Sequence, residues 1–472
     1  MTDTTDPQGR VPPELAGKCD PAEPIGSQKF VLPRPSPEPD TPEPRPRAVS
    51  FNIVDPVRRK ARMAQKAMIP AGYTYFAQLI GHDIGNSVRL GSVPHAMRAP
   101  LTAPQAGPPP VLYNLIENPL TLETLYGPGP TLLHHVFDPG TFLFRTSREE
   151  TTSLQFQGPQ KERDLSVRAL YDSRNRDTTF LHRLSVILMK FHNYIARDIR
   201  DARGEIFWNK RGEIYSTARA HVLAVWHDVI RHDFLPTFVD PACLPAARYS
   251  MPTLDDTTLL HGVFRAFHAL PLSNYFMDHQ LRALKMVLRQ GLAPASLADK
   301  WGMDWANFFV QTENPNKTGL SATMSDQLTG RNGLSLTDLD LSTSRFAQPL
   351  RLGDDTIRRA VKVLHPEDAA RLEPAAFAQA VNGLFGVNSG PQMLVGKHMK
   401  WMPLFATLML EADLYGTQGR FGPLGGLLLT HMMERLLDRV VGATPAPYDL
   451  ARPRTMYEII QFVEQRENNE NA

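Results

Sequence analysis

Tyr73-Thr74-Tyr75-Phe76-Ala77-Gln78-Leu79-Ile80-Gly81-His82-Asp83-Ile84 decides how the rest of the chain is read. The stretch is apolar enough for a buried helix, yet it carries an amide, an imidazole and a carboxylate. Gln78 and His82 are four apart and share one helical face, whereas Asp83 points elsewhere. Burying such groups is costly unless each is hydrogen-bonded or put to use. Taken alone, the window reads as a core histidine bonded to a neighbour.

Three windows further along change that reading. Asp172-Ser173-Arg174-Asn175-Arg176-Asp177 precedes a helical stripe at Leu184, Ile187, Leu188, Phe191 and Ile195, with Asp177 placed to cap it. Phe264-Arg265-Ala266-Phe267-His268 lies on an apolar helix over Leu259–Leu270, where His261, Arg265 and His268 share a face. Thr337 to Arg345 is a polar loop with Asp338 and Asp340.

Between these windows the pattern is mainly α, with long loops and little sheet. Helical periodicity predicts elements at 71–82, Leu181–Arg200, Glu213–Phe234 (stopped by Leu235-Pro236), Gln280–Gly291, 355–364, 374–385, 401–413 and 425–440. Residues 85–130 and 312–355 read as loop, with one hairpin near Phe142–Arg145. Residues 1–48 are punctuated by proline and read as an extended, disordered arm. Arg58–Met68 reads as a short basic lead-in, and 49–472 as a single large domain.

Composition excludes several functions. With 51 basic and 49 acidic side chains the net charge is +2, which offers no footprint for nucleic acid. Two cysteines, Cys19 and Cys243, exclude a disulfide framework and a cysteine-based metal site. No signal peptide or apolar run of membrane-spanning length is visible, which predicts a cytoplasmic protein with no integral membrane segment. Gly390 to Gly396-Lys397-His398 lacks the spacing and hydroxyl of a phosphate loop. His134-His135 and His227/His232 lack a ligand pattern.

Taken in order, the windows resemble the animal-type haem peroxidase family of the peroxidase–cyclooxygenase superfamily, and especially its bacterial branch. Ile69-Pro70-Ala71-Gly72 through His82-Asp83 looks like the distal-helix signature. Asp172-Ser173-Arg174-Asn175 through Phe191-His192-Asn193 is similar to the "D-x-R-N … F-H-N" segment, and Phe264 to His268 to the proximal "Y-R-F-G-H" pattern. Met402-Pro403-Leu404 to Phe421-Gly422-Pro423-Leu424-Gly425-Gly426 resembles the family's tail, so the likeness runs over roughly residues 65–440.

The resemblance implies a haem-dependent peroxidase that reduces hydrogen peroxide and oxidises a small donor, halide or phenolic, in the manner of an oxidative-stress enzyme. It assigns His82 as distal base, Arg174 as the group that stabilises charge as the O–O bond breaks, and Gln78 to the distal pocket. His268 becomes the proximal iron ligand and Arg265 a propionate partner; the second ring N–H of His268 wants an acceptor, which the alignment gives to Asp340, with Asn332 a competitor. Arg345 is a second choice for a propionate.

Departures from the family pattern matter as much. Gly81 occupies one of two positions that esterify haem in mammalian members, and Asp177 the other. At most one covalent link through Asp177 therefore remains, and non-covalent haem b is expected. Thr178 replaces the methionine of a sulfonium link. The calcium site is eroded: Asp83 and Glu123 remain, but Thr121 stands at an aspartate position, so Asp83 is at best a calcium ligand in a depleted set. Arg265 stands where the cyclooxygenase branch carries its radical-forming tyrosine. A haem-dependent fatty-acid dioxygenase or hydroperoxide isomerase is the alternative reading, and a haem-free scaffold that binds a partner the third.

Overall fold

The computed structural model describes residues 56–89, 112–146, 153–156, 165–168, 170–176, 178–204, 206–241, 254, 258–291, 303–310, 314–325, 350–385 and 396–471. The proline-rich arm at 1–48 and the Thr337–Arg345 window lie outside them. Within these bounds the chain is mainly helical, and its strands form four two-stranded antiparallel ladders. No helix among the described residues is long and apolar enough to cross a membrane.

Helix α1 (Pro56–Lys66) leads into α2 (Gly72–Ile84), the opening stretch of the sequence, and the short α3 (Glu123–Tyr126) follows. Helix α4 (Thr179–Arg203) is the axis of the molecule. Its sequence predicts one apolar stripe, but residues 178–196 are buried on every side because α2, α5 (Phe207–Val229) and the C-terminal helix all pack on it. Polar residues there find partners: Asn193 bonds Phe144 through both ends of its amide, and Lys190 meets Glu467 at 2.5 Å. The cap of α4 is Thr178, whose hydroxyl accepts the Leu181 N–H at 3.0 Å, rather than Asp177. Gly204 closes the helix at φ 63°, a left-handed turn that glycine adopts without strain.

Pro236 does not stop the next helix. A π turn, Ile230–Phe234, widens the backbone, and α6 (Leu235–Phe238) carries on beyond it. The widening places Asp233 between two other elements, accepting from the Tyr73 hydroxyl at 2.5 Å and from the Met456 N–H at 2.8 Å. The expected helix over Leu259–Leu270 is present but irregular: a π turn at Leu259–Val263, then α7 (Phe264–Ala266), then a 3₁₀ turn at Phe267–Ala269. The Gln280–Gly291 reading is half right, because Gln280–Ala283 pairs with Asn274–Met277 as a hairpin and helix α8 (Leu284–Gly291) begins only after it. The aromatic pair Tyr275 and Phe276 opposite it favours the ladder. The hairpin near Phe142–Arg145 is a tight loop with one bridge, Phe137 to Phe144.

Later helices fall near their predicted places: Pro374–Phe385, Leu404–Tyr415 and Pro423–Arg439. Glu411 holds the last of these by accepting the Leu424 and Gly425 N–H groups at 2.6 and 3.0 Å, a carboxylate set at a helix N-terminus. The helix Met456–Asn471 is not among the elements predicted above; it buries Met456, Ile459, Ile460 and Val463 and docks on α4 through Phe462 against Phe191, Lys190–Glu467 and Arg197–Glu470.

Candidate active site

The last turn of α2 meets the 259–269 segment face to face. Gly81 lies in the last turn of α2 and Gly85 caps that turn, and Phe264 and Leu260 lie one turn apart opposite them. A Cβ on Gly81 would stand 3.2 Å from the Phe264 ring, and one on Gly85 would collide with Leu260. The two glycines thus form a groove that admits the facing helix, and Gly81 is glycine because Phe264 occupies the space a side chain would need. This contact sets the last turn of α2, which carries His82, against the segment that carries His268.

His82 Nδ1 lies 3.0 Å from Asn175 Oδ1, so the neutral ring donates its proton there and keeps Nε2 as the basic nitrogen. Burial, then the neighbouring Arg174 charge, push the imidazole down to about 4, with the Asn175 bond pulling the other way. His82 is therefore a neutral base at ordinary pH. Gln78 sits one turn earlier on the same face, half-buried.

Arg174 does something the sequence did not announce. Its Nε and Nη2 grip the Asp172 carboxylate at 2.6–3.1 Å, while Nη2 reaches the His82 carbonyl at 2.9 Å and Nη1 the Gly85 carbonyl at 2.8 Å. These are carbonyls at the C-terminal end of α2, which lack helical partners, so the guanidinium fastens that end of the helix. Burial alone would raise the Asp172 carboxyl; the Arg174 hydrogen bonds and charge hold it below its ordinary value. Asn175 and Asp172 are functional neighbours that the sequence placed in a motif without giving them a task.

On the facing segment, His268 Nδ1 donates to the Arg265 carbonyl at 3.0 Å. Burial, then the Arg265 charge, push this imidazole down to about 4 as well. The ring N–H that was expected to seek Asp340 has this carbonyl as its partner; Asp340, Asn332, Arg345 and Asp177 lie outside the described residues. Burial also lowers the Arg265 guanidinium. His261, Arg265 and His268 are each partly exposed while Val263, Phe264, Ala266 and Phe267 are buried, so the shared face survives the irregular backbone.

These residues fit a haem. Each of the two imidazoles has Nδ1 bonded to a protein oxygen and Nε2 without a protein hydrogen bond among the described residues, which is the tautomer a metal ligand and a distal base require. The Asn175 side-chain nitrogen is buried beside His82 with no partner among the described residues, a donor available to a bound molecule.

Asp83 looks the other way. Its carboxylate accepts the Leu122 N–H at 2.8 Å and the Thr124 N–H at 3.5 Å, and burial pushes it up to about 7. Leu120 and Leu122 take left-handed φ values of 61° and 54° to bring the loop onto it. Glu123 turns to the Glu117 and Asn118 N–H groups. Among the described residues no group of three or more histidine, cysteine or acidic side chains is placed to hold a metal ion. His227 is structural, bonded to the Leu120 carbonyl at 2.8 Å.

Comparison with known proteins bears on the fold. Residues 125–289 match the animal haem peroxidase family. Among solved structures the fold is similar to peroxidase A from Dictyostelium discoideum, at TM-score 0.55 and 12% identity over 89% of each chain. It is also similar to the fatty acid alpha-dioxygenase of Oryza sativa, at 0.52 and 11% over 88% of this chain and 77% of that one. The fatty acid alpha-dioxygenase of Arabidopsis thaliana follows at 0.51 and 14%, over 85% and 70%. No curated protein matches the chain by sequence.

Proposed function

We propose that this chain, whose residues 125–289 carry the animal haem peroxidase match, is a haem-dependent peroxidase that reduces hydrogen peroxide and oxidises a small halide or phenolic donor. One observation carries the reading: two neutral histidines on touching helices, each with Nδ1 engaged and Nε2 spare. Bound haem b would supply the redox-active iron at which peroxide is reduced. His268 would hold that iron through Nε2, with the Arg265 carbonyl fixing its ring, and Arg265 would face a propionate.

The protein's own work is then proton transfer and electrostatics. His82 Nε2 takes the proton from the incoming peroxide oxygen and returns it to the departing one, which leaves as water. Its low proton affinity keeps the base form present above pH about 4. Arg174 adds positive charge beside the breaking O–O bond while its hydrogen bonds hold the His82 carbonyl in place. Gln78 would orient a water or an anion in the distal pocket. A covalent link through Asp177 and calcium at Asp83 remain secondary proposals.

Purified protein reconstituted with haem should show a Soret band that His268→Ala abolishes and His82→Leu retains, with peroxide consumption lost in both. Absence of any haem binding would overturn the assignment in favour of a haem-free scaffold. The resemblance to fatty acid alpha-dioxygenases gives the second reading its weight. Oxygen uptake with palmitate in the absence of peroxide would establish it, against the arginine at position 265 where a radical-forming tyrosine is expected.

A further inference from the structure

Helix α1 is more than a basic lead-in. Arg59, Arg62, Met63 and Lys66 recur at helical spacing and face inward, while Lys60, Ala61, Ala64 and Gln65 face solvent. An inward stripe that is cationic rather than apolar needs acceptors, and it has them. Arg62 pairs with the buried Asp413 at 3.3 Å, and Lys66 donates to the Asp413 carbonyl.

Arg59, only 5% exposed, goes deepest. Its Nη1 donates to the Thr323 carbonyl at 2.6 Å, and its Nη2 to the carbonyls of Ala269 at 2.8 Å and Pro271 at 2.7 Å. Between those two, the Leu270 carbonyl accepts from the Thr318 hydroxyl. Three consecutive carbonyls directly after His268 are thus held by side chains from elsewhere in the chain. A helix ending in a 3₁₀ turn leaves such carbonyls without partners; Nη2 takes two of them while Nη1 takes the Thr323 carbonyl, a fixed fork that a single ammonium nitrogen does not reproduce.

We infer that Arg59 is the positioning residue of His268, and that α1 is the strap fastening the turn that presents this histidine to the iron. The argument is geometric. The imidazole is oriented by a carbonyl of its own segment, so its direction is set by the backbone, and the backbone beyond it is fixed by Arg59 and Thr318. The inference rests on the reading of His268 as iron ligand, but it can be tested apart from it.

The first measurement needs no haem: amide hydrogen exchange in the haem-free chain. Arg59→Lys should speed exchange at Leu270 and Leu272, while Arg62→Ala, which removes the pairing with Asp413 and leaves the bonds of Arg59 to the turn in place, should leave those amides unchanged. In the haem-loaded protein Arg59→Lys should release haem to an acceptor protein about tenfold faster, the usual scale for losing a group that orients a metal ligand, and shift the iron–histidine stretching band. If Arg59→Lys does not fold, Thr318→Val reports on the same turn and should show the same two changes in weaker form. Unchanged exchange at 270–272, or equal haem loss in Arg59→Lys and Arg62→Ala, would overturn the inference. Failure of the wild-type chain to bind haem would sink the peroxidase reading instead, and leave the exchange experiment standing as the test of Arg59.

Discussion

The two histidines of the site are held in opposite ways. His82 ends a regular helix, and its Nδ1 is met by a side chain 93 residues away. His268 lies in a 3₁₀ turn, and its Nδ1 is met by a backbone carbonyl three residues back. The distal side can therefore be tuned by changing one side chain, whereas the proximal side changes only if the backbone moves. On the proposed reading, proton chemistry would profit from the first arrangement and a fixed metal ligand from the second.

The largest expected effect breaks the pair at its chemical end. His82→Leu removes the base and should slow the reaction with peroxide by about 10²–10⁴-fold, the usual contribution of a positioned acid–base group, while haem retention stays at the wild-type level. Stopped-flow kinetics at neutral pH checks the first statement and the Soret band the second. His268→Ala should do the reverse, losing the haem itself. If both variants lost haem equally, the distal and proximal assignments would have no basis.

The next test concerns the groove where the two sides touch. Gly81→Asp would restore a carboxylate at a family ester position, but its Cβ stands 3.2 Å from the Phe264 ring. Overpacking of this kind costs about 1–3 kcal/mol, so the variant should melt earlier and still carry no covalent haem. Gly81→Asp with Phe264→Ala should recover part of that loss. An acid-stable haem link in the single variant would show that Phe264 yields, and that the groove is looser than its distances suggest.

Arg174→Ala should fall between these and the subtler changes. It strips donors from the His82 and Gly85 carbonyls and leaves Asp172, 7% exposed in its side chain, without its cation. Hydrogen bonds to charged groups contribute about 1.5–3 kcal/mol, and urea denaturation should report a loss of that order. A loss of peroxide reactivity with unchanged stability would instead make Arg174 a purely electrostatic group.

What the sequence revealed follows the physics of each element. Single-period helices such as Pro374–Phe385 were legible to the residue, because one face is apolar and one is not. The π turns at Ile230–Phe234 and Leu259–Val263 were invisible, since an extra residue per turn leaves no mark on composition, and Pro236 reads locally as a stop. Helix α1 docks through charges, which a hydrophobic pattern does not register. Helix Met456–Asn471 does bury a stripe, Met456, Ile459, Ile460 and Val463, but so few apolar residues at the head of a charged, polar segment are a short signal. Within the site, His82, Arg174 and His268 could be named from spaced motifs. The task of Asn175 could not, because a hydrogen bond across 93 residues is encoded in the tertiary fold and not in the local pattern. Asp172 bonds Arg174 only two residues on, but what that pairing holds, the end of α2, is likewise set by the tertiary fold.

The smallest expected effect is also the most diagnostic of the distal–proximal difference. His82 stands at about 4, lowered by burial first and by Arg174 second, with the Asn175 bond partly opposing them. The base form thus exists above pH about 4, and the rate of reaction with peroxide should fall as pH falls through that value. Asn175→Asp places a carboxylate against the Nδ1–H, which favours the imidazolium. Opposite charges at this range raise such a group by about 1–3 units, so the acid limb should move up toward pH 5–7 and reactivity at pH 5 should drop. Asn175→Ala removes the opposing bond, and the limb should move slightly down. Neither change reaches the Arg265 carbonyl, so the iron–histidine band should stay fixed while the acid limb travels. A shift in both would mean that the two histidines are coupled through the Gly81–Phe264 contact rather than held independently.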